Sequence, residues 1–246
     1  MKRIILLFAA AACAALSTSK ANAQIAARLE MGMTEYKTTC FSPLQINSVY
    51  GSTVQLGADY DIHVKGKFYI TPGLYWSYRT ALENSGITEV AGSETLQEHF
   101  LNVPVHAKWK FNIKPGKFGM YIYVGPTFSA GLSSRSTFDM RVSGYSVEGT
   151  YDYFNGEADF RIPSLPGASG EFNDEMQKQF DALGLRYSRI DARLDWGVGF
   201  VLRERHELVL GADFAVNNKI TGSLAKDYSI NNSTLYIGYR YRFGKM

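Results

Sequence analysis

The sequence predicts an all-β protein, a closed antiparallel β-barrel that crosses a membrane with eight strands. The first observation is the stretch Thr53–Arg79, in which apolar and polar residues alternate on either side of a break at Lys65–Lys67. This alternation makes each half a strand with one apolar and one polar face. The second observation is length. Each half has about 11 residues, as a tilted strand across a bilayer requires, whereas strands of soluble sheets average about 5 to 6.

The third observation is the pattern of the connections, which alternate between long and short along the chain. Long external loops and short periplasmic turns are typical of outer-membrane barrels, and eight strands then place both termini in the periplasm. Ten strands are the alternative, if a hairpin at Ser143–Gly144 joins the wall. The predicted strands are 27–36, 53–64, 68–79, 100–111, 120–132, 187–202, 207–217 and 234–243, with external loops at 37–52, 80–98, 133–186 and 218–233.

The first 23 residues have the features of a secretory signal peptide. Lys2 and Arg3 precede the apolar run Ile4–Leu16, and Ala21–Ala23 fits an A-x-A cleavage site. Residues 24–246 then form the barrel domain. Cleavage removes three basic residues, which leaves 23 Lys and Arg against 23 Asp and Glu, so a nucleic-acid partner is not expected. Cys40 is then the only cysteine, and we expect an inert loop thiol.

The apolar faces of the predicted strands are expected to meet lipid. A soluble lipocalin-like barrel would turn those faces inward instead. Against that alternative, the apolar faces of the second to eighth strands carry no charged residue, and aromatic residues gather near the predicted strand ends. Two such girdles are typical of barrels in lipid. The predicted girdle residues are Phe68, Trp76, Tyr78, Trp109, Phe111, Tyr241 and Phe243.

The polar faces of the strands carry charges of both signs, which are expected to point into the barrel. An eight-stranded barrel has an interior just wide enough for side chains to fill, and isolated charges are too costly to bury. A salt-bridged plug is therefore expected rather than an ion-selective ring. The predicted network contains Glu30, Asp59, Asp61, Lys108, Lys110, Asp191, Arg193, Asp195, Asp213, Arg240 and Arg242, with Arg28, Arg79 and Arg189 as further inward cations.

The longest predicted external loop, 133–186, is expected to contain structure of its own. Alternation around Ser143–Gly144 predicts a hairpin above the barrel, and a helix is predicted over 172–183, with Asn173 as its N-cap and Gly184 as its stop. Exposed aromatic residues beside acidic ones suit recognition of a protein or glycan, while packing of the loop on itself is the alternative. The candidate recognition residues are Tyr145, Tyr151, Tyr153 and Phe154.

The sequence offers little sign of catalysis. The four histidines lack the spacing of a zinc site, and no phosphate loop or G-x-S-x-G motif is present. Ser77, His99 and Glu98 could in principle form the triad of a lipid-acyl hydrolase, but nothing in the sequence fixes them together. The sequence therefore predicts no cofactor, no metal and no enzyme activity.

Four segments carry a resemblance to a known family. They are Leu101–Phe111, Tyr121–Phe128, Asp195–Phe200 and Leu235–Phe243. Together the chain resembles the small bacterial outer-membrane β-barrel domain family, the PorT-like and OmpX-like proteins. The resemblance implies a location in the outer membrane, contact with its lipid, and assembly by the barrel-insertion machinery. That machinery reads a last strand ending in an aromatic residue, here Phe243.

The sequence-based expectation for function is a structural or surface-interaction scaffold that acts through its long external loops. The first alternative is a small, porin-like solute channel, because the interior is polar. The second is a lipid-modifying barrel enzyme. An extracellular protein or glycan is the expected ligand of the loops.

Overall fold

The computed structural model describes residues 24–87, 90–114, 117–142 and 144–243. The predicted signal peptide at 1–23 lies outside these ranges and stays a prediction, and Ser143 of the predicted hairpin turn also lies outside them. No helix among the described residues is long and apolar enough to cross a membrane.

The described chain is almost entirely β-structure, with one α-helix. The strands are β1 Gln24–Phe41, β2 Leu44–Lys65, β3 Phe68–Ile87, β4 Val90–Lys114, β5 Phe118–Val142, β6 Tyr145–Asp152, β7 Glu157–Arg161, β8 Arg186–Tyr187, β9 Ile190–Leu202, β10 His206–Ala215, β11 Ile220–Thr221 and β12 Tyr228–Arg242. The helix α1 spans Ser169–Leu183, and short 3-10 turns span Pro166–Ala168 and Ser223–Lys226.

Eight strands close into a ring, as predicted. The order is β4-β3-β2-β1-β12-β10-β9-β5, and β5 pairs with β4 to complete the circle. Every pairing is antiparallel; Leu29 of β1, for example, lies opposite Tyr239 on one side and Leu56 on the other. The ten-strand alternative is wrong, because β6 pairs with β5 and β7 only, and β7 pairs with β6 alone.

The two faces of the wall have the polarity expected of a barrel in lipid. Apolar outer residues are exposed, such as Leu56 at 54% and Trp196 at 53%, whereas the inward Arg240 and Arg242 are fully buried. A soluble barrel with an apolar interior is therefore excluded. The predicted girdle residues all lie on the outer face, where Phe68 contacts Trp109 and Tyr241 contacts Phe243 through their rings.

Two segments predicted as external loops, 37–52 and 80–98, are mostly strand where the structure describes them. β1 continues to Phe41 and β2 starts at Leu44, while β3 continues to Ile87 and β4 starts at Val90. Polar side chains on both faces of these segments suggested loops, but neighbouring strands still exchange backbone hydrogen bonds here. The outer face is polar because a wall that rises above a membrane meets water on that face. The barrel wall is therefore taller than the sequence indicated.

A register shift between β4 and β5 marks the level at which the outer face of the wall changes from apolar to polar. It lies between His99 and Phe100 of β4, opposite Gly131 and Ser133 of β5. Gly131 is required there, because a Cβ atom would lie 2.2 Å from the ring of Phe154. Above the shift the outer face of β5 turns from apolar to polar, as at Arg135.

The tall part of the wall carries an outer module formed by β6, β7 and α1. The hairpin β6–β7 extends the sheet beyond β5, and α1 packs on β7. The predicted helix exists and ends at Gly184, whose φ of 61° is left-handed as expected. The predicted start is wrong, however, since the helix begins at Ser169 with Ala168 as its N-cap. Asn173 does not cap the helix; its side chain accepts a hydrogen bond from the backbone amide of Phe160 instead.

Candidate functional site

The interior of the barrel contains all eleven residues of the predicted charge network. Nine of them are buried, and Asp191 and Asp213 are mostly buried near the outer end. The structure adds three charged residues that the sequence analysis did not assign to the network: Glu98, Glu207 and Lys219. The alternation with Leu208 could have identified Glu207, but Glu98 and Lys219 stood in predicted loops.

The layer nearest the short turns is organised around two guanidinium groups of β12. Arg240 donates from Nε to Asp59 Oδ1 at 2.8 Å and from Nη1 to Glu207 Oε2 at 2.7 Å. Arg242 also donates to Glu207. Each carboxylate is thus paired with at least one cation, which offsets its desolvation.

Asp61 completes this layer from β2. Its two carboxylate oxygens accept one ammonium each, Oδ1 from Lys108 and Oδ2 from Lys110, both at 2.8 Å. Thr71 donates to the same carboxylate at 2.8 Å. Arg240 and Arg242 also approach this carboxylate, so the layer forms one continuous ionic network.

The waist of the barrel is filled by tyrosine rings and by Arg28. The Arg28 guanidinium lies 5.5 to 5.8 Å from the ring centroids of Tyr75, Tyr123 and Tyr236, within cation–π range. Its Nε donates to Glu30 at 2.5 Å. Large rings around a charged centre leave no room for a solute at this level.

A chain of hydrogen bonds crosses the waist. The hydroxyls of Tyr123 and Tyr236 are 2.5 Å apart, and Tyr236 donates to Asp195 at 2.5 Å. His106 Nε2 lies 3.0 Å from the other carboxylate oxygen of Asp195. The hydrogen bonds therefore cross-link β5, β12 and β9 at the waist, and His106 of β4 lies against the same carboxylate.

Glycines on the facing strands make room for these rings. A Cβ atom on Gly199 would lie 2.1 Å from Cζ of Tyr121, and one on Gly197 would lie 2.6 Å from the hydroxyl of Tyr123. Gly197 and Gly199 therefore complement the tyrosines in shape.

The outer layer is centred on Arg193 of β9. It donates to Asp191 at 3.1 Å and also to Asp213 and Asn232. Arg79 lies below this group, with its guanidinium 4.8 Å from the ring centroid of Phe100. Its Nη1 has no hydrogen-bond partner within the described chain.

A small cavity opens beside Arg79 in the described interior. Its volume of about 10 Å³ is enough for one water molecule. Glu30, Thr53, Gln55, Arg79, Asp213, Thr234 and Tyr236 line it. A water molecule there would give the Arg79 guanidinium a hydrogen-bond partner, but a solute would not fit.

A cap around the ion pair of Glu98 and Lys219 closes the outer mouth. Glu98 forms an ion pair with Lys219, with Nζ 2.6 Å from Oε1, and it accepts hydrogen bonds from Ser134 at 2.7 Å and Tyr36 at 3.0 Å. Burial lowers the pKa of the Lys219 ammonium, and the adjacent Glu98 carboxylate opposes that shift. Lys219 therefore stands in the mouth of the barrel as the partner of Glu98.

Two tyrosine rings cover this ion pair. Tyr153 and Tyr187 stack with their centroids 4.1 Å apart and their planes 4° from parallel. Tyr153 also donates to Glu94 at 2.8 Å. Burial raises the pKa of both phenols well above the ordinary value.

The expectation that four loop aromatics form an exposed recognition surface is wrong for three of them. Tyr151, Tyr153 and Phe154 are buried, because they pack in the cap and against α1 and Phe100. Only Tyr145 is exposed, at 50%, at the tip of the hairpin. The aromatic residues could be identified from the sequence, but the surface against which they pack could not.

The hypothetical catalytic triad does not form. Ser77 points into the barrel, where Asn102 Nδ2 donates to its hydroxyl at 2.9 Å, whereas His99 lies on the outer face against the rings of Trp76 and Tyr78. The wall separates the two side chains. The described residues also contain no group of three or more His, Cys, Asp or Glu side chains that could hold a metal ion.

Comparison with models of known protein families gives a match over nearly the whole chain. A family model described as outer membrane protein beta-barrel domain matches residues 4–243. No curated protein matches the sequence. The family model thus accounts for nearly the whole chain.

Several solved structures are weakly similar to this chain. Neisserial surface protein A is 11% identical with a TM-score of 0.40, covering 89% of this chain and 99% of that chain. Ail, the attachment invasion locus protein of Yersinia pestis, is 10% identical with a TM-score of 0.36, covering 88% and 98%. The outer membrane enzyme PagL is 11% identical with a TM-score of 0.40, covering 85% and 98%.

Proposed function

The chain belongs to the outer membrane protein β-barrel domain family, and from this premise we propose that it is a closed scaffold that displays a surface module. The outer membrane is its location, and outer-membrane lipid surrounds its apolar face. In this proposal the barrel anchors the chain, and the part above the membrane binds an extracellular protein or glycan. The protein is not an enzyme.

The occluded interior is the observation that carries the proposal. Ionic groups fill the layer near the short turns, tyrosine rings fill the waist, and Lys219 and Glu98 close the outer mouth. The described cavity holds about one water molecule. A resting channel needs a continuous polar path, so this packing supports an anchor over a solute channel.

The outer module supports the second half of the proposal. β6 and β7 leave the ring, and α1 packs on β7, so this module adds surface without contributing to the barrel wall. Structured segments above a rigid scaffold are frequent sites of recognition. No observation favours a lipid-modifying enzyme, because Ser77 and His99 lie on opposite faces of the wall.

The orientation of the barrel is also part of the proposal. The short connections β2–β3 and β9–β10 lie at the same end as Gln24 and Arg242, which we assign to the periplasm. Phe243 follows the last strand directly, and its backbone amide donates to Ile25 at 2.8 Å. An aromatic residue at that place supports assembly by the barrel-insertion machinery.

Planar-bilayer conductance of the refolded chain from Gln24 onwards tests the closed interior. We expect no conductance steps from the wild-type protein. A variant with Tyr121, Tyr123 and Tyr236 changed to Ala is the positive control, because it removes the rings that fill the waist. Reproducible wild-type steps that are lost when Arg193 and Lys108 are changed would instead establish a channel.

A further inference from the structure

The outer edge of β7 is the starting observation. β7 pairs with β6 on one side only, and α1 lies along its other side. Three backbone amides of this edge donate to side chains of α1. Ala158 donates to Gln177 Oε1 at 2.7 Å, Phe160 to Asn173 Oδ1 at 2.8 Å, and Ile162 to Ser169 Oγ at 3.1 Å.

The spacing of these contacts makes α1 a substitute for a strand. Positions four apart on a helix are about 6 Å apart along its axis, and every second residue of a strand is about 6.6 Å apart. Gln177 also donates from Nε2 to the carbonyl of Gly156 at 2.9 Å. Its side-chain amide thus bonds β7 as the peptide group of a neighbouring strand would.

The helix is held on this edge by few other contacts. No residue of α1 is buried, and Leu183 is 53% exposed. Its main ring contacts come from Phe180, 4.2 Å from Tyr151 and 5.8 Å from Phe160 between centroids. Pro166 and Gly167 precede the helix and Gly184 follows it, so turns flank it at both ends.

The surface around the edge is acidic. Residues 157–183 contain six acidic and two basic side chains, a net charge of −4. Arg161 pairs with Glu148 at 2.7 Å, whereas Glu157 and Asp159 on the same strand face are exposed and have no ion pair among the described residues. A segment added beside β7 would therefore be favoured by basic side chains on that face.

We propose that the edge of β7 is a strand-addition site, that α1 covers it until a ligand arrives, and that the ligand is an extended basic segment. Its carbonyls replace Ser169, Asn173 and Gln177, its lysines or arginines face Glu157 and Asp159, and its apolar side chains meet Phe160. This inference rests on the proposed function, since it specifies what the outer module binds. A second copy of this chain in the same membrane is a less suitable ligand. A twofold axis along the membrane normal would make the two β7 strands parallel rather than antiparallel.

The test uses the refolded chain from Gln24 onwards in detergent, with a fluorescent eight-residue peptide that alternates valine and lysine. The edge-freed variant S169A/N173A/Q177A removes the three acceptors on α1. We expect it to bind the peptide at least about tenfold more tightly than wild type, and A158P in the same background to abolish the gain, because proline removes one edge-facing donor. A peptide with the same lysines but two valines changed to proline is the matched control.

A second measurement does not depend on a variant. Hydrogen exchange of wild type with saturating peptide is expected to increase in α1 and to decrease at Ala158 and Phe160. The proposal is overturned if the edge-freed variant binds no better than wild type, if the proline peptide binds equally well, or if the variant only self-associates. Equal binding of the Glu157→Gln/Asp159→Asn double variant would overturn the requirement for a basic ligand.

The two proposals fail in different ways. Silent bilayers with no peptide binding would overturn the strand-addition site and leave the closed scaffold standing. Conductance steps would overturn the closed scaffold whatever the peptide does. Heat-modifiable migration on gels reports the folded barrel in each sample.

Discussion

Arg240 Nε lies 2.8 Å from Asp59 Oδ1, although the two residues are 181 positions apart in the chain. β1 lies between their strands in the wall, so the pair connects strands that share no backbone hydrogen bond. The pair joins β12 to β2 across the barrel interior, and its removal is the most direct test of the ionic network.

Replacing Arg240 with alanine is expected to destabilise the barrel strongly. Asp59 and Glu207 would lose a buried guanidinium, and the cost of such a loss is about 3–5 kcal/mol. Urea unfolding followed by tryptophan fluorescence measures the change. Arg161→Ala is the matched control, because its ion pair with Glu148 is exposed and is worth about 0–1 kcal/mol. Equal effects of the two substitutions would contradict the interior network.

Gly199→Ala is expected to destabilise the waist by about 1–3 kcal/mol through overpacking. The new Cβ atom would lie 2.1 Å from the ring of Tyr121, and that ring is fully buried. Gly170→Ala in α1 is the control, since no atom lies within 4 Å of its Cβ position. Unfolding midpoints should fall for the first variant only; unchanged midpoints for both would mean that the ring has room to move.

Lys219→Met is expected to open the cap while the barrel stays folded. Glu98 would be left buried without its cation, so hydrogen exchange should rise in β8 and β11. The double variant Glu98→Gln/Lys219→Met should restore much of the protection, because both charges are then gone. Lys226→Met controls for loss of an exposed lysine. Unchanged exchange in the single variant would show that the tyrosines close the mouth without the ion pair.

The Tyr187 phenol is expected to ionise only above the ordinary tyrosine value of about 10. Burial raises its pKa, so the folded cap favours the neutral phenol. The resulting stability is fully present below the ordinary value and is lost as the pH rises through the raised one. The difference in absorbance at 295 nm between wild type and Tyr187→Phe should stay flat through the ordinary value. A midpoint near about 10 would mean that the ring is accessible to water.

The barrel strands and the charged plug followed from the sequence, because side-chain alternation has the same period as the strand. Asp61 and Lys108 could be placed inside from their neighbours alone. Glu98 could not, because polar residues occupy both faces of a wall above the membrane and resemble a loop. Lys219 could not, because it lies in the connection between β10 and β11, where no alternation places it. The start of α1 was also missed. The side chain of Asn173 is suited to an N-cap, but its actual hydrogen-bond partner is determined by the edge of β7.

The pairing of β1 with β12 has a consequence for the order in which the protein acquires its stability. Ala26 lies opposite Arg242, so β1 can pair with β12 only after β12 has been synthesised. Until then Asp61 and Glu207 lack both guanidinium groups that β12 delivers. A chain truncated before Tyr228 would therefore have an open seam and would leave Glu207 without either guanidinium group, while Asp61 would keep only its two lysine partners.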